Sequence, residues 1–360
     1  LHDERTSPNA TDVTDICVSF LASVLCGASR FAHVSRIRGD RALGAILDVK
    51  RIPSAFTLTR YFNTFTQGGV EKMSERLMDW TFDSLGTKSC DCTLDMDSSV
   101  FTRYGSQEGA RKGYNPRKPG RPSHRPIFAV LSELKMVANL WLRSGDTADL
   151  TGLEQFLDET LAKLPDGVRV TSVRADSGFH AEKAFSCFEQ RELSYAVYVR
   201  MDTRIQRTIA SIGEWSFVEG DQYRETADIS YQALRWEKPR RMVVVRERVR
   251  QGRDNWGKKL FEVPDYTYSA VLTNMDDDAV EVWRFYNGRA DVENRIKELR
   301  YDFGADGFCL DSFFGTEAAL KADRLPLQPR HPVQEARVPP YGVCRRYAGH
   351  GRKDDRGVLE

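Results

Sequence analysis

CTLDMDSSVFTRYG, residues 92 to 105, decides the fold. Before it, apolar residues recur at helical spacing. Here the period falls to two, which puts Asp95 and Asp97 on one side of a strand and Leu94 and Met96 on the other. Two same-side carboxylates are costly to bury unpaired, and a cation offsets that cost. Either aspartate can be the one that holds it.

Upstream, ICVSFLASVLCGA (16–28) and VEKMSERLMDWTFDSL (70–85) carry helical periodicity, and IPSAFTLTRYF (52–62) puts Pro53 and Ser54 at a helix start. Residues 1–88 therefore read as a helical N-terminal region, either a packing unit or one that touches DNA through Thr57, Thr59 and Arg60. Downstream, IFAVLSELKMVANLWLRSG (127–145) gives two strands joined by a tight turn, its first half also open to a helical reading. TADLTGLEQFLDETLAKLPDG (147–167) gives a helix on its leucine spacing, and VRVTSVRADSGF (168–179) a strand closing on Asp176. Strands first, then helices alternating with strands, predict an α/β domain with a mixed sheet over 89–213. Residues 214–276 hold short strands with polar turns, read as an inserted β-rich subdomain, and 277–320 return to helix.

The chain has 360 residues, ordinary hydrophobic (41%) and charged (29%) content and a net charge of only +1, so any nucleic-acid surface must be local. Seven scattered cysteines, with Cys90 and Cys92 the one close pair, suggest neither a disulfide framework nor a zinc site. A reducing cytoplasm is the expected setting. The longest nearly apolar run is too short for the ~20 residues a membrane helix needs.

In YNGRADVENRIKELR (286–300), helical spacing aligns Tyr286, Arg289, Glu293, Lys297 and Arg300. The stripe is either a solvated helix with ion pairs at four-residue spacing, or a metal-ligating carboxylate beside cations that clamp phosphate. Between Arg103 and Arg125 the loop RYGSQEGARKGYNPRKPGRPSHR carries Arg103, Arg111, Lys112, Arg117, Lys118, Arg121 and Arg125 against the single acidic Glu108. Gly and Pro keep it open, so it can follow a phosphate backbone, with Tyr104 or Tyr114 stacking on a base. His124 and His180 lack zinc spacing, and DSGF around Ser177 lacks the flanking glycines of a nucleophile elbow.

Taken together, LDMDSS, YGSQEGARKGYN, VRADSGF and YNGRADVENRIKELRYDFG resemble a bacterial insertion-sequence transposase of the DDE superfamily, most like insertion-sequence family 1380, over roughly residues 30 to 320. The resemblance implies a ribonuclease H-like catalytic core. It makes Asp97, Asp176 and Glu293 the catalytic carboxylates, with Asp95 as fallback, holding two Mg²⁺ ions for which Mn²⁺ substitutes. A tyrosine, arginine, glutamate and lysine signature maps onto Tyr286, Arg289, Glu293 and Lys297, with phosphate contacts also from Arg300 and the basic loop. The implied partners are double-stranded DNA at the terminal inverted repeats and at the target, in a homodimeric synaptic complex. The implied place is the bacterial cytoplasm and nucleoid, with no membrane.

After SFFGTEAALKA the family's apolar helix does not continue. Residues 321–360 turn Pro- and Arg-rich, with five prolines, as a disordered or frameshifted tail would. Leu1 in place of Met leaves the start open. Three function classes follow: an active transposase, a metal-dependent nuclease without strand transfer, and an inactive DNA-binding remnant.

Overall fold

Side-chain caps set where the first helices begin. Asp12 accepts from Thr14 N–H to open α1 (Val13–Leu25), and Asp40 accepts from Leu43 N–H to open α3 (Arg41–Ile46) after the single turn α2 (Ser35–Arg38). Ser54 caps α4 (Ala55–Phe62) as its spacing predicts, and α5 (Gln67–Leu85) follows. The computed structural model describes residues 10–85, 89–248 and 266–325, which belong to one compact unit, Leu1–Pro329. The start at Leu1 and the tail from residue 326 lie outside the described residues. No helix among the described residues is long and apolar enough to cross a membrane.

The helical region shares its core with a distant part of the chain. Phe20 and Phe31 pack on Phe308 with ring centroids 5.0 and 5.3 Å apart, and Ala318 and Ala319 join the same cluster.

The strands are β1 (Cys90–Ser98), β2 (Phe101–Thr102), β3 (Arg111–Lys112), β4 (Pro122–His124), β5 (Ile127–Leu131), β6 (Met136–Trp141), β7 (Val168–Ala175), β8 (Ser194–Tyr198), β9 (Ser216–Val218), β10 (Asp221–Tyr231), β11 (Arg240–Arg248) and β12 (Tyr266–Thr273). Among the described residues nine of them form one sheet in the order β6-β5-β1-β7-β8-β12-β11-β10-β9. β6, β5 and β1 are antiparallel, β1, β7 and β8 parallel, and β8, β12, β11, β10 and β9 antiparallel. The strands at 214–276 thus extend the main sheet through β8 and β12.

Alternation along β1 sends Cys92, Leu94 and Met96 into the core beneath α6 (Leu153–Ala162) and α7 (Glu182–Glu189). The helix α8 (Thr203–Ala210) adds Ile205 and Ile209 to that layer. Asp95 and Asp97 face the other side, where α9 (Ala279–Asn287) packs through Val282 and α10 (Ala290–Tyr301) through Val292, Ile296 and Leu299. The stripe expected on a single helix is therefore split. At Gly288 the chain switches to i−3 hydrogen bonds, Arg289 N–H to Tyr286 O and Val292 N–H to Arg289 O, which divides the segment into α9 and α10.

The basic segment is likewise not an open loop. β2, β4 and β3 form a small sheet of their own, and Phe101 joins the α10 core.

Helix α11 (Phe313–Asp323) carries the chain beyond Leu320, where the expected tail begins. Leu320 is buried, but so are Asp323 and Arg324, whose carboxylate and guanidinium have no hydrogen-bond partner among the described residues. Burial pushes Asp323 well above the usual carboxylate range and lowers Arg324 to about 10. Charges stand where apolar side chains would fit. Asp323→Leu is expected to stabilise the fold by about 1–3 kcal/mol, the cost of one unsatisfied buried polar group, read as a higher urea midpoint at unchanged slope.

Candidate active site

β1 and β7 run parallel with Met96 beside Ala175, so Asp97 and Asp176 emerge next to each other at the carboxyl ends of neighbouring strands. Asp176 accepts from Gly178 N–H at 2.9 Å and starts a short 3₁₀ turn, Ser177–Phe179. The third carboxylate arrives from α10 through Arg289. Arg289 donates through Nη2 to Asp97 Oδ1 at 2.5 Å and through Nη1 to Glu293 Oε1 at 3.1 Å. Its guanidinium is only 5% exposed, whereas Glu293 is 52% exposed.

Burial pushes the Asp97 carboxyl up to about 7, with Arg289 opposing and Asp176 and Glu293 adding to the rise. Burial also raises Asp176, again against Arg289. Excess negative charge at this spot is what a divalent cation would relieve, and carboxylate oxygens are the donors Mg²⁺ and Mn²⁺ take. Arg289 supplies the positive charge in the structure as it stands. No three acidic, His or Cys side chains among the described residues are grouped closely enough to hold a metal in this arrangement.

Asp95 is occupied differently. Arg174 forks onto it, Nε to Oδ1 at 2.7 Å and Nη2 to Oδ2 at 2.6 Å, and both side chains are buried. Gly288 makes room for that arginine, since a Cβ there would lie 2.3 Å from Arg174 Nη1.

The basic residues divide into two groups. Arg111, Lys112, Arg117, Lys118 and Arg121 are exposed on the small sheet and its turns. Arg103 is buried, donating to His124 Nδ1 at 3.0 Å and to Asp306 O. Arg300 donates to Asp306 Oδ2 at 2.8 Å, and Arg125 to Asp149 Oδ2 at 2.7 Å. Arg103 and Arg300 thus join the small sheet to the turn after α10. Tyr104 and Tyr114 are exposed, under Arg121 and Arg125 respectively. Lys297 lies 3.9 Å from Glu293, and Tyr286 stacks on Tyr198 at 5.6 Å.

His124 and His180 are both held by neighbouring groups. His180 sits against Phe185 and Trp236 and accepts from Arg200 N–H at 3.1 Å. His124 bridges Arg103 Nε and Glu108 O, which fixes it as the neutral Nε2–H tautomer. Burial, with Arg103 adding, lowers His124 to about 4. Its folded pKa lies below the unfolded value, so between pH 6.5 and 4 the unfolded chain binds a proton that the folded chain refuses. Stability is then lost as pH falls through that window. His124→Asn is expected to remove about 2 kcal/mol from the stability lost between pH 7 and pH 5, as urea unfolding of both proteins at each pH will read.

Spacing missed one member of the site. Asp149 is buried between Ser98, the neighbour of Asp97, and the Gly178 turn that carries Asp176, but its sequence context TADLTG reads only as polar residues ahead of a leucine helix.

A family model described as "Transposase DDE domain group 1" matches residues 1–321. Among solved structures, a piggyBac transposase synaptic complex with hairpin DNA matches at 12% identity and TM-score 0.48, covering 91% of this chain and 68% of that one. A Drosophila P element transposase strand transfer complex matches at 14% and 0.27 (53% and 38% covered), and a Mos1 mariner paired end complex with Mn at 12% and 0.21 (54% and 61%). No curated protein sequence matches the chain.

Proposed function

Because the chain belongs to the family of transposase DDE domains, group 1, we propose that it is a DNA transposase that cuts transposon ends and joins them to a target. The observation that carries this is the meeting of Asp97, Asp176 and, through Arg289, Glu293 at one end of the sheet. Those three residues would hold the divalent cations, Mg²⁺ or Mn²⁺. The ions would lower the pKa of an attacking water or 3′-hydroxyl and take up charge on the leaving oxygen. Asp95, already neutralised by Arg174, is not needed.

The chain's own residues would do the rest. Exposed Lys297, Arg111, Lys112, Arg117, Lys118 and Arg121 would contact phosphate, and Tyr286, half-buried on Tyr198, would border the site. The strand order β6-β5-β1-β7-β8, three antiparallel strands followed by two parallel ones, supports a ribonuclease H-like core, with 214–276 as an insertion that lengthens its sheet. The finer reading is a bacterial insertion-sequence enzyme of family 1380, acting as a homodimer on terminal inverted repeats in the cytoplasm. It rests on the quoted motifs. The alternative of an inactive DNA-binding remnant draws support from the buried Asp323 and Arg324, which have no hydrogen-bond partner among the described residues.

The test is cleavage of a labelled DNA fragment carrying the element's own end, with Mn²⁺ or with EDTA. Wild type should cut only with metal, while Asp176→Ala and Glu293→Gln bind the end without cutting. Cutting by Asp176→Ala would overturn the site. End binding by folded wild type without any cutting would select the remnant.

A further inference from the structure

Asp149 stands where four otherwise separate parts of the site meet. Ser98, which follows Asp97, donates its hydroxyl to Asp149 Oδ1 at 2.6 Å. Across the site, a Cβ on Gly178 would lie 2.5 Å from Asp149 Oδ2 and 2.9 Å from Asp176 Oδ1, so the two carboxylates close over the same glycine. From the end of the basic segment Arg125 donates to Asp149 Oδ2 at 2.7 Å. The backbone beneath is held by Arg143, whose Nη1 reaches Ala148 O at 3.3 Å and Asp149 O at 3.2 Å, while its Nε reaches Arg125 O at 3.1 Å. Asp149 is itself buried, so its contacts are fixed rather than exchanged with water.

We propose that Asp149 is a positioning residue: it sets the spacing between the strand end that carries Asp97 and the turn that carries Asp176, and fastens the basic segment to both through Arg125. This rests on the assignment of Asp97 and Asp176 as the carboxylates that hold divalent cations. A charged, bidentate acceptor is suited to the task, because one oxygen takes Ser98 while the other takes Arg125. Loss of either arm frees one side of the site while the other stays fixed. An error of about 1 Å at such a site is enough to cost activity.

Charge and spacing are separated by two variants. Asp149→Asn keeps the length and the acceptor for Ser98, but loses the charge. Asp149→Glu keeps the charge and changes the reach. Mn²⁺ binding to the DNA-free protein, read by electron paramagnetic resonance, should weaken about tenfold in both, with circular dichroism unchanged. Wild-type affinity in Asp149→Glu would reduce Asp149 to a background charge, and unchanged affinity in both would make it a packing residue; either overturns the proposal. Asp176→Ala, run alongside, tests the underlying assignment: Mn²⁺ binding indifferent to that change removes the metal site itself. In that event hydrogen exchange still decides the spacing role. Asp149→Ala, which removes both arms, should speed exchange both at Ser99 and at Gly178, and acceleration at only one of them, or at neither, sinks it.

Discussion

Arg174→Ala is expected to lower stability by roughly 3–5 kcal/mol, because it strands the Asp95 carboxylate in the core. Asp95 is fully buried and lies beside Arg174 in the parallel register of β1 and β7. The arginine also donates to Ser132 Oγ at 2.8 Å and to Phe285 O at 2.7 Å, so the same guanidinium ties the sheet to the end of α9. Burial raises the Asp95 pKa in spite of Arg174, so without the arginine the carboxyl would take up a proton in place of its partner. Removing both ends of the pair should cost much less than removing one. Arg174→Leu combined with Asp95→Leu is expected to recover most of the loss, giving a coupling of about 2 kcal/mol or more in a double-mutant cycle by urea unfolding. A loss below about 1 kcal/mol for Arg174→Ala would mean that Asp95 finds another partner.

That pair also explains why alternation left Asp95 and Asp97 as equals. A period of two says which face a residue takes, and both take the same face. What separates them is the neighbouring strand: LDMD on β1 lies against VRAD on β7, with Asp95 beside Arg174 and Asp97 beside Asp176. Each strand carries its charges two residues apart. Aligning those pairs would have matched the arginine to the inner aspartate, but a parallel register is set by contacts some 80 residues apart, which no local pattern reveals.

The elements with strong local signals were legible. The cap at Ser54, the strand at Leu94 and the break into β7 all follow from residues within a few positions of each other. The basic segment was not, because its fate depends on Asp306 and Asp149, distant in sequence, which accept from Arg103 and Arg125. A count of charges cannot distinguish a cation that faces DNA from one that has an internal acceptor. The division of 286–300 into two helices was hidden for a similar reason. Gly288 weakens a helix by propensity without saying where it ends, and the close approach of Arg174 leaves little room for a side chain there.

On the proposed transposase function, Arg289→Gln is expected to reduce metal-dependent cleavage about 10²- to 10³-fold while DNA binding falls by less than about tenfold. The side chain is buried, and no other cation in the described structure hydrogen-bonds Asp97. Without it the Asp97 carboxyl, already lifted to about 7, rises further, because the one interaction that lowers it most has gone. At neutral pH a protonated Asp97 would be a poor ligand for the proposed cation, and Glu293, exposed and otherwise paired among the described residues only with Lys297 at 3.9 Å, is no longer held toward the strand ends. Both consequences act on the chemical step rather than on the surface that grips DNA. Arg289→Lys separates them. It restores a positive charge beside Asp97, but an ammonium cannot span two carboxylates as the guanidinium fork does. Single-turnover cleavage at fixed Mn²⁺ should therefore place Arg289→Lys between the two, about 10- to 100-fold below wild type. Full activity in Arg289→Lys would show that charge alone suffices. A loss equal to that of Arg289→Gln would assign the whole effect to the bridge between Asp97 and Glu293.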